Sequence, residues 1–287
     1  MYLFFIALFF STALFAEKSS LLICGVCKNV AAACENSIRN IEKLGSHFKD
    51  YHVIIYENNS TDATAQKFEA WAKSSSRVTF ISETLAEKPL CRTEKIANAR
   101  NKVLKEVRKK KYDHYKYLVM VDLDFQSDWP IDEIVASTNL AFTWDCISAN
   151  GITKEGFYYD RLALRSKEFP KGPELGDSQF WQGLKTSWFK LSESRWPEVY
   201  SAFGGLAIYK TDTIRKFSYS GTVTKDLKKY YQKILGTKQI EFQQNCMTWQ
   251  KPDDTTIAVC EHVTLHASMA LKGYDTFYIN PKLLMRY

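Results

Sequence analysis

Residues 115–128 read YKYLVMVDLDFQSD. An apolar run, Tyr117 to Val121, ends in two aspartates separated by one leucine: Asp122, Leu123, Asp124. Such a run suits a strand covered on both faces. Two carboxylates at its tip repel each other and resist leaving water. A divalent cation between them offsets that cost. Oxygen ligands spaced i, i+2 at a strand end suit Mg2+ or Mn2+, which in turn neutralise a diphosphate. The plainer account is an acidic turn after a strand. This is the only D-x-D in the chain.

Working outward, the same punctuation repeats. LLICGVC (21–27) and YHVIIYE (51–57) read as buried strands, and RVTFIS (77–82) as a third. Between them, Val30, Cys34, Ile38, Ile41 and Leu44 form a helical stripe that Gly45 can stop. NNSTDAT offers N-caps for a helix carrying Phe68 and Trp71. RTEKIANARNKVLKEVRKKK (92–111) is a long helix leading into the D-x-D strand. Strands alternating with helices imply βαβ units: an α/β fold with a mostly parallel central sheet and helices on both faces. The second half is less regular. WDCISAN (144–150), FGGLAIYK (203–210) and TTIAVCEHVTLH (255–266) are expected to be strands, and residues 151–200 mostly loops.

The 287 residues allow one large domain with a sizeable core, and the 45% hydrophobic and 25% charged content is that of a globular protein. The N-terminal MYLFFIALFFSTALFA is uncharged but short for a membrane span. Residues 1–16 are therefore expected to be a signal peptide ending at Ala16, or else an uncleaved anchor, which places the protein in the secretory lumen or outside the cell. A single domain over 17–287 follows, with a nucleotide-sugar half at about 20–150 and an acceptor half at 151–287. Net charge is +7, concentrated in residues 105–116. That segment is either a solvated helix end or a contact for anionic lipid or an anionic acceptor. No basic stripe interleaved with aromatics marks a nucleic-acid partner. Of seven cysteines, Cys24 and Cys27 lack the second pair a zinc site needs, and Cys246 with Cys260 is a candidate staple.

Three further places carry candidate chemistry. Short acceptors in YENNSTD (56–62) serve either a base and ribose, or the next helix cap. Arg100 falls on a mostly apolar helix face with Ile96, Val103 and Val107, so it needs an anionic partner, a protein carboxylate or a bound phosphate. In CEHVTLH (260–266), alternation on a strand puts His262 and His266 on one face and Glu261 on the other.

Together these motifs resemble a GT-A-fold, nucleotide-sugar-dependent glycosyltransferase, and in particular the fungal capsule-associated α-1,3-mannosyltransferase family. YENNSTDAT, IANARNKVL, VMVDLDF and GFYYDRLALR (156–165) carry the resemblance; FGGLAIYK, CEHVTLH and YINPKLL follow in the expected order. The resemblance implies transfer of a hexose from a GDP- or UDP-linked donor to a hydroxyl of a glycan or glycoprotein acceptor. It implies a Mn2+ or Mg2+ held by Asp122 and Asp124, with His262 or His266 as third protein ligand. Asn29, Glu57, Asn59, Asp62, Arg92, Arg100 and Asp122 would contact the nucleotide. Tyr159 and Arg165 would lie near the transferred sugar or acceptor, and Gly204 and Gly205 would allow close backbone approach. Asp160 and Glu261, with Asp177, are the candidate catalytic carboxylates. Two rival readings remain: a nucleotidyltransferase, whose Gly-rich loop is missing from GVCKNVAAA (25–33), and a non-catalytic secreted sugar-binding protein.

Overall fold

The computed structural model describes residues 19–86, 88–155, 157–176, 196–244 and 256–287. The leader at 1–16, Asp177 and Cys246 lie outside the described residues. Among the described residues, no helix is long and apolar enough to cross a membrane.

Among the described residues, eight strands form one sheet in the order β3-β2-β1-β4-β7-β5-β8-β6. They are β1 (Ser20–Cys27), β2 (Asp50–Asn58), β3 (Val78–Glu83), β4 (Tyr117–Asp122), β5 (Cys146–Ile152), β6 (Glu198–Val199), β7 (Leu206–Lys210) and β8 (Phe277–Arg286). β1 to β4 run parallel. β7 enters antiparallel between β4 and β5, and β8 pairs parallel with β5. The helices are α1 (Cys34–Gly45), α2 (Thr64–Ser74), α3 (Arg92–Val107), α4 (Ile131–Thr138), α5 (Thr211–Ile214), α6 (Lys225–Leu235) and α7 (Glu261–Ala270).

Strand alternation divides the core in two. Leu21 and Ile23 of β1, Val53 and Ile55 of β2, and Val119 and Val121 of β4 pack with Ile41 of α1, Phe68 of α2 and Ile134 of α4. Leu22, Cys24, Ile54, Tyr56, Leu118 and Met120 face the other way, onto Val103 of α3, Leu227 of α6 and Val263 of α7. Each fully buried aliphatic side chain contributes about 1.5–3 kcal/mol, which explains why these strands carry no polar alternation.

One expected element is corrected. The segment TIAVCEHVTLH is not a strand: from Glu261 it is helix α7, and nine of that helix's ten residues are buried. His262 and His266, four apart, still share a face, but a helical one. Cys24 is a buried core residue, and α3 turns Ala97 rather than Ile96 into the core beside Arg100 and Val103.

Candidate active site

Parallel strands aim their carboxyl ends at one edge of a sheet, and ligands bind beyond that edge. Here β1, β2 and β4 end level: Val26 pairs with both Tyr56 and Asp122. Above these ends lies a cleft of about 1200 Å3. Its walls come from the β1–α1 loop (Lys28, Asn29), the β2–α2 loop (Asn58, Asn59), the start of α3 (Arg92, Lys95), the tip of β4 (Asp122, Asp124), residues 159–162, and the start of α7 (Glu261, His262).

The D-x-D geometry follows from its middle residue. Leu123 is buried in the core, its side chain lying against Gly25, where a Cβ would come 2.7 Å from Leu123 Cδ1. With Leu123 turned inward, both aspartates are delivered to the cleft. Asp122 Oδ1 accepts from Arg100 Nη2 at 3.1 Å, and its Oδ2 accepts from the Tyr287 hydroxyl at 3.1 Å. Crowding by the surrounding protein, followed by the Asp122 charge, pushes the Asp124 carboxyl up to about 6. A carboxyl raised by a neighbouring carboxylate is the electrostatic mark of a place where a cation is favoured.

That donor set fits a hard divalent cation held by one or two carboxylates, with phosphate oxygens and water completing the shell. It does not form an all-protein cage: among the described residues, no group of three or more His, Cys, Asp or Glu side chains is gathered to hold a metal. His266 does not supply the third ligand expected of it. Its Nδ1 is 2.9 Å from Ser201 Oγ and its Nε2 3.0 Å from the Tyr209 hydroxyl, both deep in the core. His262 does reach the cleft, packed flat on Phe203 with ring centres 3.8 Å apart. Burial, then the Arg100 charge, holds its imidazole neutral.

The inward Arg100 finds protein carboxylates. Besides Asp122, its Nε donates to Glu261 Oε1 at 3.1 Å. Burial opposes its charge, but Asp122 and Glu261 over-compensate and keep the guanidinium ionised. Glu261 is thus tied to Arg100, whereas Asp160 is held by backbone amides. Its Oδ1 accepts from the Ala163 amide and its Oδ2 from the Gly204 amide, each at 3.2 Å. Burial, then Glu261 and Asp122, push its carboxyl up to about 7.

Other expected residues divide between the cleft and its scaffold. Asn29, Asn59, Arg92 and Tyr159 line the cleft. Asn29 and Asn59 both hold positive φ, at 56° and 57°, a conformation asparagine tolerates better than most residues. Tyr159 stacks on Tyr287 with ring centres 3.3 Å apart. Glu57 and Asp62, expected at the nucleotide, are absent from the lining of the cleft and bond the loops around it. Glu57 accepts from the Ser60 amide at 2.6 Å and the Ser82 hydroxyl at 2.7 Å. Asp62 takes the amides of Ala31 and Thr64, both at 3.0 Å. Asp62 thus ties the β1–α1 loop to the β2–α2 loop and Glu57 ties the latter to β3, satisfying amides that would otherwise be orphaned. Gly204 and Gly205 are also scaffold. Both hold positive φ, and a Cβ there would strike the Ala149 carbonyl in one case, Phe125 and Tyr287 in the other.

Arg165 is likewise corrected. It is 1% exposed and donates Nη2 to both oxygens of Glu174, at 2.8 and 2.7 Å, and Nε to the Tyr231 hydroxyl at 3.0 Å. It locks the segment that follows Asp160 instead of facing a sugar. Two contributors escaped the sequence reading. Lys28 follows directly from the strand-end rule that located Asp122. Tyr287 carries no local signal, since only the tertiary fold brings the residue after β8 within reach of Asp122.

Residues 23–128 match the family model described as glycosyl transferase family 2. No curated protein matches the chain. Among solved structures, the chain is similar to the mannosyltransferase PcManGT from Pyrobaculum calidifontis in complex with GDP-Man and Mn2+, with a TM-score of 0.51 and 16% identity over 95% of this chain and 57% of that one. It also matches S. aureus TarS 1-349 in complex with UDP-GlcNAc, with a TM-score of 0.46 and 10% identity over 93% of this chain and 58% of that one. The chain therefore spans a little over half the length of these two structures. The first likeness agrees with the GT-A frame read from the sheet. The matched segment runs from β1 through both aspartates, so the likeness to glycosyl transferase family 2 covers the strands and loops that build the cleft's β1, β2 and β4 side.

Proposed function

We propose that the protein transfers a hexose from a GDP- or UDP-linked donor to a hydroxyl of a glycan or glycoprotein acceptor, in a reaction that depends on a divalent metal. The observation that carries this reading is the pair Asp122 and Asp124 at the end of β4, facing a cleft whose other walls hold Lys28, Arg92 and Asp160. The base and ribose lie over the ends of β1 and β2, against Asn29 and Asn59. Lys28 and Arg92 draw the diphosphate toward the two aspartates. Mn2+ or Mg2+ held there, when bound, stabilises charge on the departing diphosphate. Asp160, with a pKa near neutrality, takes the acceptor's proton as its oxygen attacks the anomeric carbon. Arg100 holds the Asp122 carboxylate in place.

The test is thermal stabilisation by GDP, UDP, ADP and CDP, with and without Mn2+, followed by transfer from the sugar-linked form of whichever nucleotide binds. A Mn2+-dependent shift for GDP or UDP is expected, reduced at least tenfold in affinity by Asp124→Ala. Stabilisation by no nucleotide overturns the reading.

A further inference from the structure

Buried polar atoms almost always find partners, so a group of them without partners marks a place where water or a ligand completes the structure. Among the described residues, four such atoms belong to three neighbouring side chains: Arg100 Nη1 and both ring nitrogens of His262, on residues that line the cleft, and the hydroxyl of Tyr219, packed behind them. They form one neighbourhood. The rings of Tyr219 and His262 are 5.4 Å apart, nearly perpendicular. Arg100 Cζ lies 5.9 Å from the Tyr219 ring and 4.6 Å from the Phe203 ring, on which His262 stacks. His262 Nε2 stands 3.6 Å from Glu261 Oε1, too far for a hydrogen bond. His262 is only 1% exposed yet belongs to the wall of the cleft, as do Arg100, Glu261 and Asp160.

The chemistry of this wall selects its ligand. An anion is disfavoured at this wall, because Asp122 and Glu261 already neutralise Arg100, and Asp160 lines the cleft beside them. A metal is not gathered there by three ligating side chains. An apolar group would leave the four polar atoms unsatisfied, at roughly 1–3 kcal/mol each. A hydroxyl, which both donates and accepts, matches a neutral imidazole, a phenol and a spare N–H. Phe203 and Tyr219 add apolar faces beside it.

We propose that His262 is a specificity-determining residue that hydrogen-bonds one ring hydroxyl of a sugar, with Arg100 Nη1 and Tyr219 completing the polar wall behind it. The inference rests on the glycosyl-transfer reading above and names the part of the cleft that reads the sugar. Sites built to bond a hydroxyl reject analogues that lack it, because their own polar groups are then stranded. The hydroxyl belongs either to the donor hexose or to the acceptor.

The test compares wild type with His262→Phe, which keeps the stacking on Phe203, and with His262→Gln, which keeps a donor and an acceptor. Thermal shifts are read for the nucleoside diphosphate alone and for its sugar-linked form, and transfer is read with the parent donor and a deoxy series. If the hydroxyl is the donor's, His262→Phe binds the diphosphate as wild type does but loses about 10- to 100-fold in kcat/KM on the parent sugar. One deoxy donor is then used equally well by both proteins, and His262→Gln recovers part of the loss. If it is the acceptor's, the same selectivity appears in KM for acceptor analogues while donor binding is unchanged. Uniform loss across every analogue, or no loss, overturns the proposal and leaves the donor site standing. Absence of any diphosphate binding by wild type overturns both. Should His262→Phe fail to fold, the deoxy series on wild type still decides: an analogue weakened at least tenfold is required, and a flat profile overturns the proposal.

Discussion

Arg100 and Asp122, 22 residues apart in the chain, meet with Nη2 3.1 Å from Oδ1. The contact ties the inward face of α3 to the tip of β4. The same guanidinium reaches Glu261, 161 residues away, at the start of α7. One buried cation thus joins the strand end that carries Asp122 to the second half of the fold. Its cost is met by two carboxylates, which in turn could not be tolerated so close together without it.

Arg100→Met leaves Glu261 buried without a counter-charge and Asp122 facing it. Removing one member of a buried ion network costs about 3–5 kcal/mol. Urea denaturation of the variant is expected to show a loss in that range, and Arg100→Met with Glu261→Gln to recover a substantial part. A loss below about 1 kcal/mol for the single variant contradicts the tie described here.

Asp160 carries opposite consequences for activity and stability. Its carboxyl is raised to about 7, first by burial, then by Glu261 and Asp122. Acting as base, it must be ionised, so kcat/KM is expected to fall tenfold per unit as pH drops below about 7. The stability sign runs the other way. An acid whose folded pKa exceeds its unfolded value binds its proton more tightly when folded. Its contribution is therefore full below about 4 and lost as pH rises through about 7. Asp160→Asn should abolish the kinetic limb and flatten the stability loss between pH 5 and pH 8, so that it outlasts wild type in thermal unfolding at pH 8. A variant with wild-type turnover removes Asp160 from the chemistry.

The buried pair Arg165 and Glu174 separates a structural role from a sugar-contacting one. Arg165→Met strands a carboxylate that is fully buried, and about 3–5 kcal/mol of stability should disappear. Replacing both, Arg165→Met with Glu174→Gln, should restore much of it. Nucleotide affinity of the double variant, read by thermal shift, should stay within about threefold of wild type. A large loss of donor affinity with the stability restored would return Arg165 to the substrate.

The first half of this fold was legible because its strands are buried on both faces and its helices on one. Continuous apolar runs such as LLICGVC and YLVMV then alternate with 3.6-residue stripes, and the strand-end rule locates Asp122 and Asp124. α7 escaped for the complementary reason. Nine of its ten residues are buried, so neither a two- nor a 3.6-residue period registers, and Val263, Thr264 and Leu265 pass for a strand. Glu57 and Asp62 looked like ligand contacts because they are polar at a strand end. That position also leaves loop amides needing acceptors, and the amides of Ser60, Ala31 and Thr64 took them. Tyr287's bond to Asp122 spans 165 residues, and no local pattern encodes such a meeting.

Gly25 gives the sharpest test of how the two aspartates are aimed. It sits in β1 level with Val121 of β4, and Leu123 occupies the space its missing side chain leaves. A Cβ there would stand 2.7 Å from Leu123 Cδ1 and 2.8 Å from Cγ, so the leucine must move. Leu123 cannot retreat through a packed core without dragging its neighbours. Its two neighbours are Asp122 and Asp124. Overpacking of this kind costs about 1–3 kcal/mol in stability. Misplacing a reacting group by about 1 Å costs on the order of 100-fold in rate. Gly25→Ala should therefore remain folded at room temperature while losing much more activity than its stability loss suggests. Nucleoside diphosphate affinity in the presence of Mn2+ should fall with it, while affinity without metal changes little. Pairing Gly25→Ala with Leu123→Val, which makes room, should recover both. A single variant with full metal-dependent binding would show that Leu123 does not set the direction of the two carboxylates.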